Sequence, residues 1–210
     1  MRRGSIRVRR PGRSQLSTEP LDGRIEEARV RRFLLVRHCE SSGPAPDAPL
    51  TPRGLVQAEK LAEFLGDYPI NRVVSSPHPK ALATIEPFAA CAGLAIETHG
   101  GLVERRIAPG PFDGWREVVR RSFKEPTYAL PGGESASEVL KRGWAAIQSV
   151  AESGCQCPVV VSHGQLLSLV LHSLDPSFGY AAWESLSNPD VYVLEGAEVG
   201  STFGWKRIWA

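Results

Sequence analysis

Phe33-Leu34-Leu35-Val36-Arg37-His38-Cys39-Glu40-Ser41 is the stretch that decides the fold. Four apolar residues in a row read as a short strand buried on both faces, and the run stops at a polar pair, Arg37-His38. The pattern recurs twice. Asn71-Arg72-Val73-Val74 runs into Ser75-Ser76-Pro77, and Pro158-Val159-Val160-Val161 runs into Ser162-His163-Gly164. Helical patterns lie between. Thr51 caps and Pro52 opens a helix whose expected apolar face is Leu55, Ala58, Leu61, Ala62 and Leu65, with Gly66 as its stop. A second helix is expected over about 79–92. Ser135-Ala136-Ser137-Glu138 is a capping box opening a third, with Leu140, Trp144, Ile147 and Ala151 on its apolar face. A fourth follows His163 and ends near 173.

Residues 95–104 read as a short strand leading into Leu102-Val103-Glu104, and 105–133 are less regular. Segments 191–194 and 203–208 read as a C-terminal edge hairpin. Strands alternating with helices predict a three-layer α/β/α domain with a mostly parallel central sheet. In such a sheet the carboxyl ends of the strands share one rim, and ligands bind there. That topology makes neighbours of His38 and His163, 125 residues apart in the chain.

The chain has 210 residues, 42% hydrophobic and 23% charged, as expected of one globular domain. No apolar run approaches the roughly 18 residues that a membrane span needs, so no membrane partner is expected. The cysteines, Cys39, Cys91, Cys155 and Cys157, form no disulfide framework, which makes a reducing cytoplasm the default location. The net charge of +2 hides an asymmetry. Residues 1–32 hold ten arginines, no lysine and four acids, a net of +6, leaving −4 on the rest. A basic arm can bind nucleic acid. The preferred reading is a disordered extension over 1–32, or a start placed too early, ahead of one domain over 33–210. Neither Arg2-Arg3 nor Arg9-Arg10 is followed by an apolar stretch, so a twin-arginine export signal is not expected.

The motifs together resemble the histidine phosphatase superfamily, which includes the cofactor-dependent phosphoglycerate mutases and many small phosphatases. Leu35-Val36-Arg37-His38-Cys39-Glu40-Ser41 is similar to its Arg-His-Gly-Glu-Ser/Thr signature. Leu50-Thr51 with Gly54 and Gln57-Ala58 looks like its first helix, and Ser75-Ser76-Pro77 through Ala81 and Thr84 like its Ser-Ser-Pro-x-x-Arg-Ala motif. Gly132-Gly133-Glu134-Ser135 and Val161-Ser162-His163-Gly164 also match. The resemblance runs from about 33 to 194 and implies a phosphoglycerate mutase-like fold. It implies His38 as a nucleophile forming phosphohistidine, with Arg37, His163 and Gly164 holding the phosphoryl group. Lys80 stands where the family has a second arginine, keeping the charge without the bidentate fork. Cys39 replaces the family glycine. Glu104 occupies the place of the proton donor and acceptor, with Asp113 in reserve and a surface ion pair to Arg105 or Arg106 as the competing role. His78 is either a further contact or exposed loop.

These residue types suit the chemistry. A phosphoryl group carries spread negative charge, so catalysis is mostly positioning and electrostatic clamping. A neutral imidazole can attack phosphorus if its other nitrogen is held. The expected function is metal-independent, cofactor-free hydrolysis of a small phosphorylated substrate by a histidine acid phosphatase-like enzyme, acting as a monomer or homodimer. A phosphoglycerate mutase-type phosphotransferase comes next. The family's mutases carry long insertions before the second histidine, whereas Glu104 precedes Gly132 by only 28 residues. A non-catalytic phosphate-binding module is a further alternative. So is a metallohydrolase using His38, Cys39, His163 and Cys155 or Cys157. Residues 105–128 and 176–190, with Trp115 and Trp183, are expected to cover the pocket.

Overall fold

The computed structural model describes residues 31–152, 155, 157–196 and 203–209. The N-terminal extension, apart from Arg31 and Arg32, lies outside them. In chain order the elements are β1 (Arg31–Arg37), α1 (Pro52–Leu65), β2 (Arg72–Ser75), α2 (Pro79–Ala92), β3 (Ile96–Thr98) and a single 3-10 turn over Gly100–Leu102. Then come α3 (Trp115–Ser122), α4 (Ala136–Glu152), β4 (Pro158–Ser162), α5 (Gly164–Leu174), α6 (Tyr180–Glu184), β5 (Asp190–Gly196) and β6 (Gly204–Arg207). One sheet runs in the order β3-β2-β4-β1-β5-β6. β1, β2, β3 and β4 are mutually parallel, and β5 and β6 run antiparallel to their neighbours. The expected three-layer fold is therefore present. The hairpin pairs through β5 with β1, so of its two strands β6 alone is an edge strand, with β3 at the opposite edge of the sheet.

Alternation within β1 sorts the core into two layers. Phe33 and Leu35 face α4 and α5, packing with Val139, Ile147, Leu167 and Tyr192. Leu34 and Val36 face α1 and α2, packing with Leu61, Leu65, Ile85 and Phe88. A strand covered on both faces has to be apolar throughout, which is why the 33–36 run lacks a polar alternation.

α1 begins as expected: the Gly54 amide donates to Thr51 Oγ1 at 2.9 Å. Its buried face differs. Gly54, Ala58, Leu61 and Leu65 point inward, while Leu55 is 55% exposed. Gly54 sets this rotation. A Cβ there would come within 2.1 Å of the Glu40 carbonyl oxygen, so the helix edge presses onto the loop after His38. In α4 the capping box forms both ways: Glu138 N–H donates to Ser135 Oγ at 3.2 Å, and Ser135 N–H to Glu138 Oε2 at 2.8 Å. The helix buries Val139, Gly143, Ala146, Ile147 and Val150, and the expected Leu140 and Trp144 sit half-buried at the margin. The Ala151 side chain lies outside the described residues.

Candidate active site

β1, β2 and β4 end side by side, and their polar termini form one cluster. His38 N–H donates to the Ser162 carbonyl at 3.1 Å, and Ser76 N–H to that of Val161 at 2.9 Å, so register alone brings the three motifs together. The His38 and His163 rings lie 5.1 Å apart, centroid to centroid, and the His78 ring lies 4.9 Å from that of His163. The topological expectation that His38 and His163 are neighbours holds.

His38 Nδ1–H donates to the Cys39 carbonyl at 2.7 Å, which leaves the lone pair on Nε2. Burial lowers the His38 pKa to about 4, against the pull of that carbonyl, and Lys80, Arg37 and His78 push the same way as burial. The imidazole is uncharged at neutral pH. Two braces fix its backbone. Asn188 Nδ2 donates to the His38 carbonyl at 2.6 Å, and Cys39 N–H donates to Thr84 Oγ1 at 2.8 Å. Cys39 itself is buried, its thiol pushed up to about 11 by burial, so it packs as a neutral side chain.

Arg37 Nη1 donates to the Leu186 and Ser187 carbonyls at 3.0 and 3.2 Å, while its Nε is buried without a partner. Gly164 allows the guanidinium close: a Cβ there would lie 3.2 Å from Nε. His163 is fully buried. Its Nε2 meets Ser76 Oγ at 2.8 Å, and its Nδ1 has no partner. Ser76 Oγ already accepts the His78 N–H at 3.3 Å. Its hydroxyl proton can go to His163 Nε2, the arrangement that leaves the His163 proton on Nδ1. Burial, then His38, His78, Lys80 and Arg142, lowers the His163 pKa to about 2, so a protonated His163 is not the resting state.

Glu104 lies at the start of α5. Oε2 accepts from the Gln165 amide at 3.1 Å, and Oε1 from those of Leu166 and Arg105 at 3.3 and 2.9 Å. The competing surface ion pair is absent among the described residues. Arg105, only 5% exposed, donates instead to the Glu134 carbonyl and to Ser122 Oγ. Asp113 is exposed on the loop before α3. Lys80 is 3% exposed, and its Nζ donates to the carbonyls of Gly43, Pro44 and Ala45 at 3.3, 3.3 and 2.9 Å. Its charge sits near the cluster, but its donors hold a loop. Cys155 and Cys157 precede β4, at the far end of the sheet from His38. Among the described residues no group of three or more His, Cys, Asp or Glu could hold a metal ion, so the zinc set weighed above does not assemble.

Several site-building residues carry no motif of their own. Arg142 ties Glu134, at 2.8 and 3.0 Å, to the carbonyls of Gly101, Val103 and Glu104. Asp190, fully buried, accepts two 2.8 Å bonds from Arg207 and one of 3.1 Å from the Ser187 amide. That grip shapes the 186–190 loop behind Arg37 and His38, where the Asn188–Pro189 peptide is cis. The expected cover does meet: Trp115 and Trp183 pack edge to face at 5.9 Å, and the Arg120 guanidinium lies 4.6 Å over the Tyr180 ring.

The carboxyl rim of the sheet thus gathers an uncharged imidazole and buried polar atoms without partners. Comparison with known proteins names the family. The model of the histidine phosphatase superfamily (branch 1) matches residues 33–204, and the chain belongs to that superfamily. A curated relative, the probable phosphoglycerate mutase GpmB of Salmonella choleraesuis (strain SC-B67), is 30% identical over 168 residues, 71% of this chain and 75% of the relative. Among solved structures, mycobacterial hydrolase 1 superposes with a TM-score of 0.69 at 24% identity, covering 86% of this chain and 98% of that one. The mycobacterial glucosyl-3-phosphoglycerate phosphatase gives 0.68 at 23%, covering 86% and 99%. These two similarities speak to the fold. The superfamily comprises phosphatases and mutases, which makes phosphoryl transfer the reaction class. No helix among the described residues is long and apolar enough to cross a membrane.

Proposed function

We propose that this chain is a metal-independent phosphomonoester hydrolase acting through a phosphohistidine on His38. The observation that carries the reading is the set of buried polar atoms without partners. Five occur among the described residues, and three of them, Arg37 Nε, His78 Nδ1 and His163 Nδ1, surround His38. A buried unpaired polar atom costs about 1–3 kcal/mol, and phosphate oxygens would satisfy such donors together. Arg37, His163 and the Gly164 amide then hold the phosphoryl oxygens. The first-turn amides of Gln165 and Leu166 are spent on Glu104. Lys80 contributes charge at a distance. The positive charges of Arg37 and Lys80 beside His38 favour an anion over a cation there.

In the first step the His38 Nε2 lone pair forms the N–P bond as the ester P–O bond breaks. Glu104 gives its proton to the departing oxygen. In the second, Glu104 takes a proton from water, the water oxygen bonds phosphorus, and the N–P bond breaks to release phosphate. The short stretch between Glu104 and Gly132 supports water access and hence hydrolysis. The relative named as a phosphoglycerate mutase favours a second reading, transfer to another hydroxyl of the substrate. The test is turnover of p-nitrophenyl phosphate against isomerisation of 3-phosphoglycerate, each with and without chelator. Phosphate release unchanged by chelator is expected. Isomerisation without phosphate release would overturn the hydrolase reading.

A further inference from the structure

The start of α2 borders the His38–His163 cluster. At that edge the sequence offers Lys80, but all three Nζ donors go to carbonyls of residues 43–45, leaving none for a ligand. The residue that does face the cluster is His78, the N-cap residue of α2. Its side chain makes no cap hydrogen bond to its own helix. Instead its ring packs edge to face on His163, with centroids 4.9 Å apart, and its Nδ1 is buried with no partner. The neighbouring unpaired atom is His163 Nδ1. Two buried ring nitrogens on touching rings, both without partners, call for one shared acceptor.

We propose that His78 is a phosphate-contacting residue of this site, its Nδ1–H supplying the α2-side donor that Lys80, tied to the 43–45 loop, does not. The inference rests on the phosphate-site reading above and extends it to a residue that no motif marks. Burial, with Lys80 on α2 and Arg142 on α4 beside it, lowers the His78 pKa. His163, the other ring against it, is uncharged. A phosphate dianion offsets those cations and lets the imidazole take a proton, giving a charge-assisted bond on that edge. The substrate class this serves is a phosphomonoester dianion.

The experiment measures inorganic phosphate binding by calorimetry to the wild-type chain, His78→Leu and His78→Asn, with thermal unfolding as a check on folding. Loss of one charge-assisted bond predicts phosphate binding about tenfold weaker in His78→Leu. The Asn side chain places an amide N–H near the Nδ1 position, so His78→Asn should recover most of that loss. Wild-type affinity in His78→Leu would overturn the proposal. Equal loss in Leu and Asn variants that both unfold like the wild type would also overturn it, leaving only ring packing. The two readings fail separately. A wild-type chain that turns over no ester, yet binds phosphate in this His78-dependent way, refutes the hydrolase and keeps the contact. A His78→Leu variant with wild-type binding refutes the contact and leaves the hydrolase standing.

Discussion

Two regions of the site are built on opposite principles. At the ends of β1, β2 and β4, polar atoms are buried and left unpaired: Arg37 Nε, His78 Nδ1 and His163 Nδ1. In the segment from Gly101 to Arg142, the polar groups around Glu104 and Glu134 are spent on one another, with Arg105 Nη2 the buried exception. Arg142 serves three carbonyls and Glu134, Arg106 N–H serves Glu134, and Glu104 takes three amides. A saturated network holds a shape, whereas unpaired donors await a ligand. On the function proposed above, the contrast separates residues that would touch phosphate from residues that place Glu104.

Glu104 is where the two regions meet, and its substitution gives the largest expected effect. Glu104→Gln keeps a carbonyl oxygen for the α5 amides but cannot shuttle a proton. On an alkyl phosphate kcat should fall by about 10²–10⁴. On p-nitrophenyl phosphate, whose leaving group departs unprotonated, the phosphorylation step should suffer far less. Equal losses on both would assign Glu104 to structure alone.

The unpaired side of the comparison has a signature in stability. The folded His38 pKa of about 4 lies below its unfolded value near 6.5. The unfolded chain then binds more protons between these values, so stability is full above pH 6.5 and falls as pH drops toward 4. The shift corresponds to about 3 kcal/mol for this one ring. Urea unfolding of the wild type against His38→Gln at pH 7 and pH 4.5 should show a smaller pH-dependent loss in the variant. Parallel losses would mean that His38 is not held uncharged.

The saturated side should respond differently. Arg142→Met strands Glu134 and three carbonyls, so kcat should drop about tenfold through misplacement of Glu104. KM, set by the strand-end donors, should change little. A rise in KM with unchanged kcat would put Arg142 in the phosphate pocket and dissolve the contrast.

How much of this was readable beforehand follows the same division. The strand-end residues announce themselves, because a buried parallel strand must be apolar until it reaches the rim. So Arg37, His38 and His163 stand out from 33–36 and 158–161. Hydropathy places Leu55 on the buried face of α1 and the structure exposes it, since glycine carries no hydropathic signal and Gly54 packs by its lack of a side chain. Lys80 was placed by its motif, yet its donors follow the carbonyls of a loop that only the fold brings near. Asn188, Asp190 and Arg142 act across gaps of 150, 17 and 8 residues, to His38, Arg207 and Glu134, with no periodicity to mark them. The buried Asp190 next to a proline, immediately before an apolar run, was the one available cue. The short helix α6 left none.

The central claim is a covalent bond from phosphorus to His38, and trapping it is the most direct test. The protein is mixed with p-nitrophenyl phosphate, quenched in denaturant at alkaline pH, where phosphohistidine persists, and digested for mass spectrometry. One added phosphoryl group is expected on the peptide carrying His38, lost on mild acid treatment and absent from His38→Ala, which should turn over no substrate. Steady hydrolysis by a folded His38→Ala variant would contradict it.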